Sequence, residues 1–575
     1  MTQEPTSPGA DEELAALLTR AREWVAGDPD PLTRAQLAAA AEAQDLEELR
    51  AALAAPLSFG TAGLRGLVGP GPARMNRATV IRVTHGLAAH LLRTVGDQRP
   101  VVVGFDARPD SARFARDTVG VLAAAGLPVA HFAQPVPTPL VAHVARVRGA
   151  AGAVVITASH NPPAYNGYKV YGPDAIQIVA PDDRSIAAAT AAAPPAQDVG
   201  WFAPEDADGV EVLGEPEAGD YLDEVAAAVP RTTGRDPRIV YTPLHGVAGE
   251  LALRALGAAG FDDVREVASQ AAPDGTFPTL SFPNPEEPGV LDAALALAAE
   301  VDADLVLAND PDGDRLAVAV RDRDGHRTLT GNQIGVLLGD HLLRHTDAGR
   351  PVVASSVVSS PMFALVAADH GARHETTLTG FKWICRAVAR IAEQEHGEVV
   401  FGYEEALGYA VGTVVRDKDG ISAAVTAAEL VRELAGAGRT LVDRMEELYQ
   451  RHGLWVSHQR AVDLADTTSP DRVSEALEVA STLVGARLGG RRVTGIEDHR
   501  QAGERPAWRG PAPLVEVGLE DGGRALVRPS GTEPKVKVYV DLPSPRRGDL
   551  GEQETRLLVQ SDQVAGDLLA AIRLA

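Results

Sequence analysis

Four apolar residues, Ala153-Val154-Val155-Ile156, run directly into the polar, proline-bearing segment Thr157–Gly167 (TASHNPPAYNG). A short apolar run that ends in such a break reads as a buried strand. Val/Ala/Leu-rich runs of this kind recur along the chain and alternate with alanine-rich stretches such as Ser111–Ala125. That alternation predicts an α/β architecture. The chain's 575 residues are too many for one core, so several domains are expected. In an open α/β sheet, ligands bind just past the carboxyl ends of the strands. Ser159 and His160 stand there, and Ser159 reads as either a turn residue or a nucleophile.

Residues 1 to about 10 are expected to lack regular structure, and Glu12 to about Ala55 to be helical with a break at Gly27–Pro31. Strands near 101–105, 129–132 and 153–157 alternate with helices, and the Ala/Pro-rich stretch Ala191–Gln197 reads as a linker or loop edge. A second α/β unit has strands at Arg238–Tyr241 and Ala303–Ala308 around a helix at Gly249–Ala259. A third has strands at Val352–Ser355 and Glu398–Phe401, with helices near 361–370 and 381–395. The last part differs: Val515–Leu519, Arg524–Arg528 and Val536–Asp541 read as antiparallel strands, and Gln560–Leu574 as a closing amphipathic helix. The expected division is a helical extension (1–55), three similar α/β domains (56–210, 211–325, 326–450) and an α+β domain (451–575).

A formal net charge of −25 argues against a surface for nucleic acid or anionic lipid, while leaving room for a local basic pocket. Cys385 is the only cysteine, which excludes an intramolecular disulfide and a thiolate metal site; in a predicted helix it reads as a buried, inert thiol. The N-terminus has neither the charged nor the apolar region of a secretory signal, and no apolar stretch reaches 18 residues. A cytoplasmic protein is expected.

Asn309–Arg315 (NDPDGDR) follows the strand Leu305-Val306-Leu307. Alternating aspartates on a tight turn can converge three carboxylates, hard oxygen ligands suited to Mg²⁺ or Ca²⁺; the other reading is a solvated acidic turn. An EF-hand fails, because Arg315 and Arg321 stand where it needs glycine and glutamate. Three like-charge pairs at about 4 Å would cost about 12 kcal/mol at an effective dielectric near 20. A whole domain is stable by only about 5–15 kcal/mol, so convergence calls for a cation.

Arg528–Lys535 (RPSGTEPK) joins two strands, with small residues, two hydroxyls and an arginine suited to phosphate; a plain hairpin loop is the alternative. It lacks the Lys-Ser/Thr ending of a P-loop. Glu404 and Glu405 in Phe401–Tyr409 could accept from sugar hydroxyls or be a solvated pair. Phe59–Gly66 is glycine-rich without dinucleotide-site spacing, and its Arg65 suits phosphate. Thr157–Asn161 is not the G-x-S-x-G elbow of a serine hydrolase. A serine, three aspartates, a phosphate loop and Lys169 together fit phosphoryl transfer, which needs positioning, a metal and charge neutralisation more than a strong base.

These segments resemble the α-D-phosphohexomutase superfamily, the phosphoglucomutase/phosphomannomutase enzymes. Thr157–Tyr171 resembles its phosphoserine loop, Asp310–Arg315 its metal loop, Phe401–Tyr409 its sugar-binding loop and Arg528–Tyr539 its phosphate-binding loop, in the family's order. The resemblance implies four domains around a central cleft. It implies a phosphorylated Ser159 that donates to a sugar monophosphate and regains a phosphoryl group from the resulting bisphosphate. Mg²⁺ would be held by Asp310, Asp312, Asp314 and an oxygen on Ser159. Arg65, His160 and Lys169 would stand at the reacting phosphate, Lys169 as general acid/base. Arg315, Gly380, Lys382 and Glu404 would join the substrate site, and Arg528, Ser530, Gly531 and Thr532 would grip the other phosphate. The implied activator is glucose 1,6-bisphosphate or an equivalent, the partner a small phosphosugar, and the assembly a monomer or homodimer. Many phosphoglucomutases have serine where this chain has Ala406. The Glu404–Tyr409 and Leu57–Gly66 segments and the N-terminal extension look more like the branch that includes phosphopentomutases and glucose-1,6-bisphosphate synthases.

Overall fold

A computed structural model of the chain describes residues 8–59, 63–322, 325–463, 470–501, 503, 505–530, 535–545 and 550–574. The first sheet comprises β1 (Leu64–Leu67), β2 (Val101–Phe105), β3 (Val129–Phe132), β4 (Gly152–Ile156), β5 (Tyr165–Tyr171) and β6 (Val210–Leu213), in the order β1-β5-β4-β2-β3-β6. Strands β4, β2, β3 and β6 run parallel, while β5 pairs antiparallel with both β4 and β1. Every residue of β2 and β4 is buried, as expected of parallel strands with helices on both faces.

The second sheet comprises β7 (Ile239–Thr242), β8 (Val264–Glu266), β9 (Leu305–Asn309), β10 (Leu316–Asp322) and β11 (Gly325–Thr328), ordered β11-β10-β9-β7-β8. The third comprises β12 (Pro351–Ser356), β13 (Arg373–Thr377), β14 (Glu398–Glu404) and β15 (Gly408–Val411), ordered β13-β12-β14-β15. The fourth is wholly antiparallel: β16 (Leu454–Asp463), β17 (Arg487–Leu488), β18 (Arg491–Asp498), β19 (Val515–Leu519), β20 (Arg524–Pro529) and β21 (Lys535–Ser544), ordered β16-β21-β20-β19-β18-β17. The fold class is therefore three α/β units followed by an α+β unit.

One device recurs in the first three sheets. A strand at the end of the parallel set (β4, β9 or β14) turns back into an antiparallel neighbour (β5, β10 or β15). The turns are the serine, aspartate and glutamate loops, each at the carboxyl end of a buried strand. The fourth loop joins β20 to β21. Backbone bonds tie these turns across the units: Thr138 N–H donates to the Asp312 carbonyl and Leu316 N–H to the Leu407 carbonyl, both within 3.1 Å.

Three expectations need correction. The first helix begins at Pro8 (Pro8–Gly27), inside the stretch expected to be irregular; residues 1–7 lie outside the described residues. The stretch after Ala191 is no free linker, because Ala193 and Ala196 are buried and Pro195 packs on Gly27 of the first helix. The closing helix spans Leu550–Ala571, starting well before Gln560. Its first turns are polar helix formers, Glu552, Gln553, Glu554 and Arg556, so propensity builds a helix there without an apolar stripe to mark it. Cys385 is buried in the helix Phe381–Glu395, as expected. Among the described residues no helix is long and apolar enough to cross a membrane.

Candidate active site

Ser159 follows β4 with φ +53°, in the left-handed region that residues with side chains seldom adopt, and is 2% exposed. Its N–H donates to Thr157 Oγ1 at 2.8 Å. Its hydroxyl donates to Asp310 Oδ2 at 2.8 Å and lies 3.1 Å from His160 Nδ1. Burial, with the Arg315 and Arg65 charges, pushes His160 well below the ordinary imidazole range, so the ring is neutral at pH 7.

Asp310, Asp312 and Asp314 follow β9, all buried, with one ligand oxygen from each within 4.8 Å of the others. Gly313 allows the tight turn: its φ is +73°, and a Cβ there would meet the Ala248 Cβ at 2.8 Å. Lys169 on β5 places Nζ 2.6 Å from Asp312 Oδ2 and 2.8 Å from Asp314 Oδ2, and Lys418 Nζ lies 3.0 Å from the same Asp314 oxygen. Burial opposes charge on Lys169, but the two aspartates outweigh it and raise its pKa. Burial likewise opposes charge on Asp312 and Asp314, yet the Lys169 ammonium holds both below the usual carboxylate range. Asp310 has no such partner, and burial plus the Asp312 and Asp314 charges push it well up.

The residues present fit a hard divalent cation. Asp312 Oδ1 and Asp314 Oδ1 are buried oxygens without a hydrogen-bond partner. Buried acceptors left unpaired are costly, and an all-oxygen donor set matches Mg²⁺ or Ca²⁺.

A cleft of about 870 Å³ opens beside this centre, lined from all four sheet units by Arg65, Ser159, His160, Arg315, Gly380, Glu404, Lys418, Arg528 and Ser530 among others. Arg65, Arg315, Lys418 and Arg528 supply it with positive groups suited to phosphate, interspersed with carboxylates such as Glu286, Glu404 and Glu405. Arg65 Nη1 donates to Asn161 Oδ1 at 3.2 Å. Arg315 pairs with Glu286 at 3.2 Å, and its N–H donates to Asp310 Oδ1 at 3.0 Å. At the far end, Glu404 Oε1 accepts from Gly380 N–H at 3.1 Å, while Arg528 donates to Thr379 Oγ1 and covers the Tyr539 ring at 5.9 Å. Ser530 N–H donates to the Lys535 carbonyl at 2.7 Å, closing the β20–β21 turn.

Four of the expected site residues that are described do not line the cleft itself: Asp310 and Asp312, which lie in the centre beside it, and Lys169 and Lys382. Lys169 is buried behind the aspartates, and Lys382 sits on the helix Phe381–Glu395, where Asp183 and Arg386 are the charges acting on it. Gly531 and Thr532 lie outside the described residues. Sequence reasoning missed three residues. Thr138, which begins a helix after β3, donates to Asp312 Oδ2 at 2.8 Å. Lys418 hides in Arg416-Asp417-Lys418-Asp419-Gly420, which reads as a charged helix start; Asp419 does cap the helix that follows. Arg108, in the turn after β2, holds the serine loop from beneath.

Four segments match the domains of one family: Phosphoglucomutase/phosphomannomutase, alpha/beta/alpha domain I at residues 56–196, domain II at 219–325, domain III at 330–452 and the C-terminal domain at 487–556. The chain belongs to this family, whose members are mutases, isomerases that work by phosphoryl transfer. It is 38% identical over 496 residues to a probable phosphomannomutase of Haemophilus influenzae, covering 85% of this chain and 96% of that one. It is 34% identical over 582 residues to a phosphopentomutase of Mus musculus, covering 95% and 93% respectively. The crystal structure of a putative phosphomannomutase from Thermus thermophilus shares the fold, with a TM-score of 0.67 and 24% identity over 90% of this chain and 99% of that one.

Proposed function

We propose that this enzyme moves phosphate between the 1- and 6-positions of a hexose, glucose or mannose, through a phosphorylated Ser159 and a sugar bisphosphate that stays in the cleft. The observation that carries this reading is the Ser159 hydroxyl, buried at the head of a cleft that also holds Arg65, Arg315 and Arg528, and bonded to the carboxylate centre at 2.8 Å. In the first transfer the P–Oγ bond of phospho-Ser159 breaks and a P–O bond to a sugar hydroxyl forms. The hydroxyl's proton leaves as that bond forms and a proton reaches the departing Oγ, which becomes the neutral serine hydroxyl; His160 Nδ1, 3.1 Å from Oγ, is placed to relay it. The bisphosphate then turns over, its other phosphoryl group returns to Ser159, and the proton goes back to the sugar oxygen. Lys169, bonded to Asp312 and Asp314 at 2.6 and 2.8 Å, is the other candidate general acid/base.

Asp310, Asp312, Asp314 and an oxygen on Ser159 would hold Mg²⁺, which when bound neutralises charge on the transferring group. Arg65 and Arg315 would face the reacting phosphate, Glu404, Gly380 and Lys382 would take up the sugar, and Arg528, Ser530, Gly531 and Thr532 would grip the distal phosphate. Glucose 1,6-bisphosphate or an equivalent would prime Ser159. The matched segments support dividing the chain near residues 210, 325 and 450.

A second reading, interconversion of ribose 1- and 5-phosphates, is favoured by Ala406, which offers the sugar a methyl group rather than a hydroxyl. The phosphopentomutase relative, aligned over 95% of this chain, supports it too. Comparing kcat/KM for glucose, mannose, glucosamine and ribose 1-phosphates, with catalytic glucose 1,6-bisphosphate present, decides between them. The hexose reading requires glucose or mannose to lead by at least about tenfold, a preference of about 1.4 kcal/mol in transition-state binding; a lead for ribose overturns it.

A further inference from the structure

The serine loop has internal bonds, Ser159 N–H to Thr157 Oγ1 at 2.8 Å, Asn161 N–H to the Ala158 carbonyl at 3.1 Å and Tyr165 N–H to the Pro162 carbonyl at 3.0 Å, but none of them engages the Ser159 carbonyl. Ser159 lies in the left-handed region, and the residues after it include two prolines, Pro162 and Pro163, which have no N–H to give. Four carbonyls of this loop converge on one side chain. Arg108 Nη2 donates to the carbonyls of Ser159 at 2.8 Å and Asn161 at 2.5 Å. Its Nη1 donates to those of Pro162 at 2.8 Å and Tyr165 at 2.9 Å.

Arg108 is itself over-determined. It is 3% exposed, and its Nε lies 3.2 Å from Asp106 Oδ2. Asp106 Oδ1 accepts from the Arg108 N–H at 3.0 Å and from the Ser111 hydroxyl at 2.5 Å. Ser111 in turn accepts from Asn166 Nδ2 at 3.0 Å, returning the network to the strand that leaves the loop. On its other face, the guanidinium stacks at 5.1 Å on the Phe277 ring of the second unit. The chain reaches this contact through Gly275, where a Cβ would meet the Arg108 Cα at 2.3 Å. One buried cation thus joins the serine loop to the unit that carries Asp310, Asp312 and Asp314.

We infer that Arg108 is a positioning residue for phosphoryl transfer: it holds the Ser159 backbone in its left-handed conformation and so aims Oγ at the carboxylate centre. It touches neither substrate nor the reacting atoms. The inference rests on Ser159 being the phosphoryl carrier. A guanidinium is needed because only a planar fork can serve four carbonyls from two nitrogens, whereas an ammonium is a single point donor with three hydrogens.

The expected effect falls on kcat, since a reacting group misplaced by about 1 Å costs about 10²-fold in rate. Phosphosugar binding relies on Arg528, Glu404 and Arg315 and should be spared. The experiment is steady-state kinetics of Arg108→Ala, with and without millimolar guanidinium chloride, beside Arg108→Lys, with intact-mass measurement of phosphate on each variant. The expected result is a kcat about 10²-fold lower with KM within about threefold, partial recovery of the alanine variant with guanidinium but not with sodium chloride, and little recovery in the lysine variant. If Arg108→Ala does not fold, a lysine variant that folds with wild-type kcat overturns the inference. Equal losses in kcat and 1/KM, or no response to guanidinium, also overturn it. If instead Ser159→Ala remains fully active, the phosphoserine reading falls regardless of what Arg108 does, so the two failures are distinguishable.

Discussion

Lys169, buried on β5, places its ammonium 2.6 Å from Asp312 Oδ2, on the same carboxylates that would hold the cation. With Lys418 it supplies two positive charges to three aspartates. Charge repulsion alone would make convergence of the three carboxylates depend on a cation, but the two ammonium groups offset much of that repulsion. What still calls for a cation is the pair of buried, unpartnered oxygens Asp312 Oδ1 and Asp314 Oδ1.

Metal removal should abolish turnover without unfolding the chain. Excess EDTA is expected to stop the reaction, while saturating Mg²⁺ at about 100 times its Kd should add about 2.7 kcal/mol of stability. Activity assays and calorimetry with EDTA and with Mg²⁺ check both parts. Asp312→Asn should raise the Mg²⁺ concentration for half-maximal activity at least about tenfold. Unchanged turnover in EDTA means the metal assignment is wrong.

At the far end of the cleft, Arg528→Ala should raise KM for every sugar monophosphate by about 10–100-fold, the cost of about 1.5–3 kcal/mol in charge-assisted hydrogen bonds. Steady-state kinetics with two different sugars checks it. A loss confined to one sugar would place Arg528 at the sugar ring instead of the phosphate.

Ala406→Ser restores a hydroxyl near Glu404 and should favour hexose over ribose monophosphates by up to about tenfold, the worth of one neutral hydrogen bond of about 0.5–1.5 kcal/mol. The ratio of the two kcat/KM values measures it. A ratio that does not move removes this position from the account of specificity.

Glu405 carries a pH signature. Burial, followed by the neighbouring Glu404 charge, raises its pKa from 4.5 to about 7, and its Oε2 accepts from Ser356 Oγ at 3.1 Å. Between these two values the folded protein holds a proton that the unfolded chain has released, so this group's contribution to stability falls as pH rises. Glu405→Gln should raise the melting temperature at about pH 8 and make little difference at about pH 4.5. Thermal melts at the two pH values test this; a gain only at the acidic pH has the wrong sign.

The loops were legible in the sequence because each interrupts an apolar strand with glycine, proline or aspartate, and strands buried on both faces read as unbroken apolar runs. The antiparallel strands that follow the loops were harder. β5 (YNGYKVY) holds a fully buried lysine, which is tolerable only because Asp312 and Asp314, more than 140 positions away, supply its partners. Arg108, Thr138 and Lys418 sit in turns after other strands and look like ordinary loop and cap residues; the roles of Thr138 and Lys418 exist only once separate units meet, and that of Arg108 only once the turns after β2 and β4 lie side by side. Sugar preference depends on how a cleft wall assembled from four units meets one hydroxyl, and Ala406 marks the place without naming the substrate.

The most direct test of the central claim is intact-mass analysis with phosphopeptide mapping of active enzyme incubated with glucose 1,6-bisphosphate, beside the turnover of Ser159→Ala. One phosphoryl group is expected, on Ser159, together with loss of activity in the variant. Phosphate on another residue, with Ser159→Ala fully active, would contradict it.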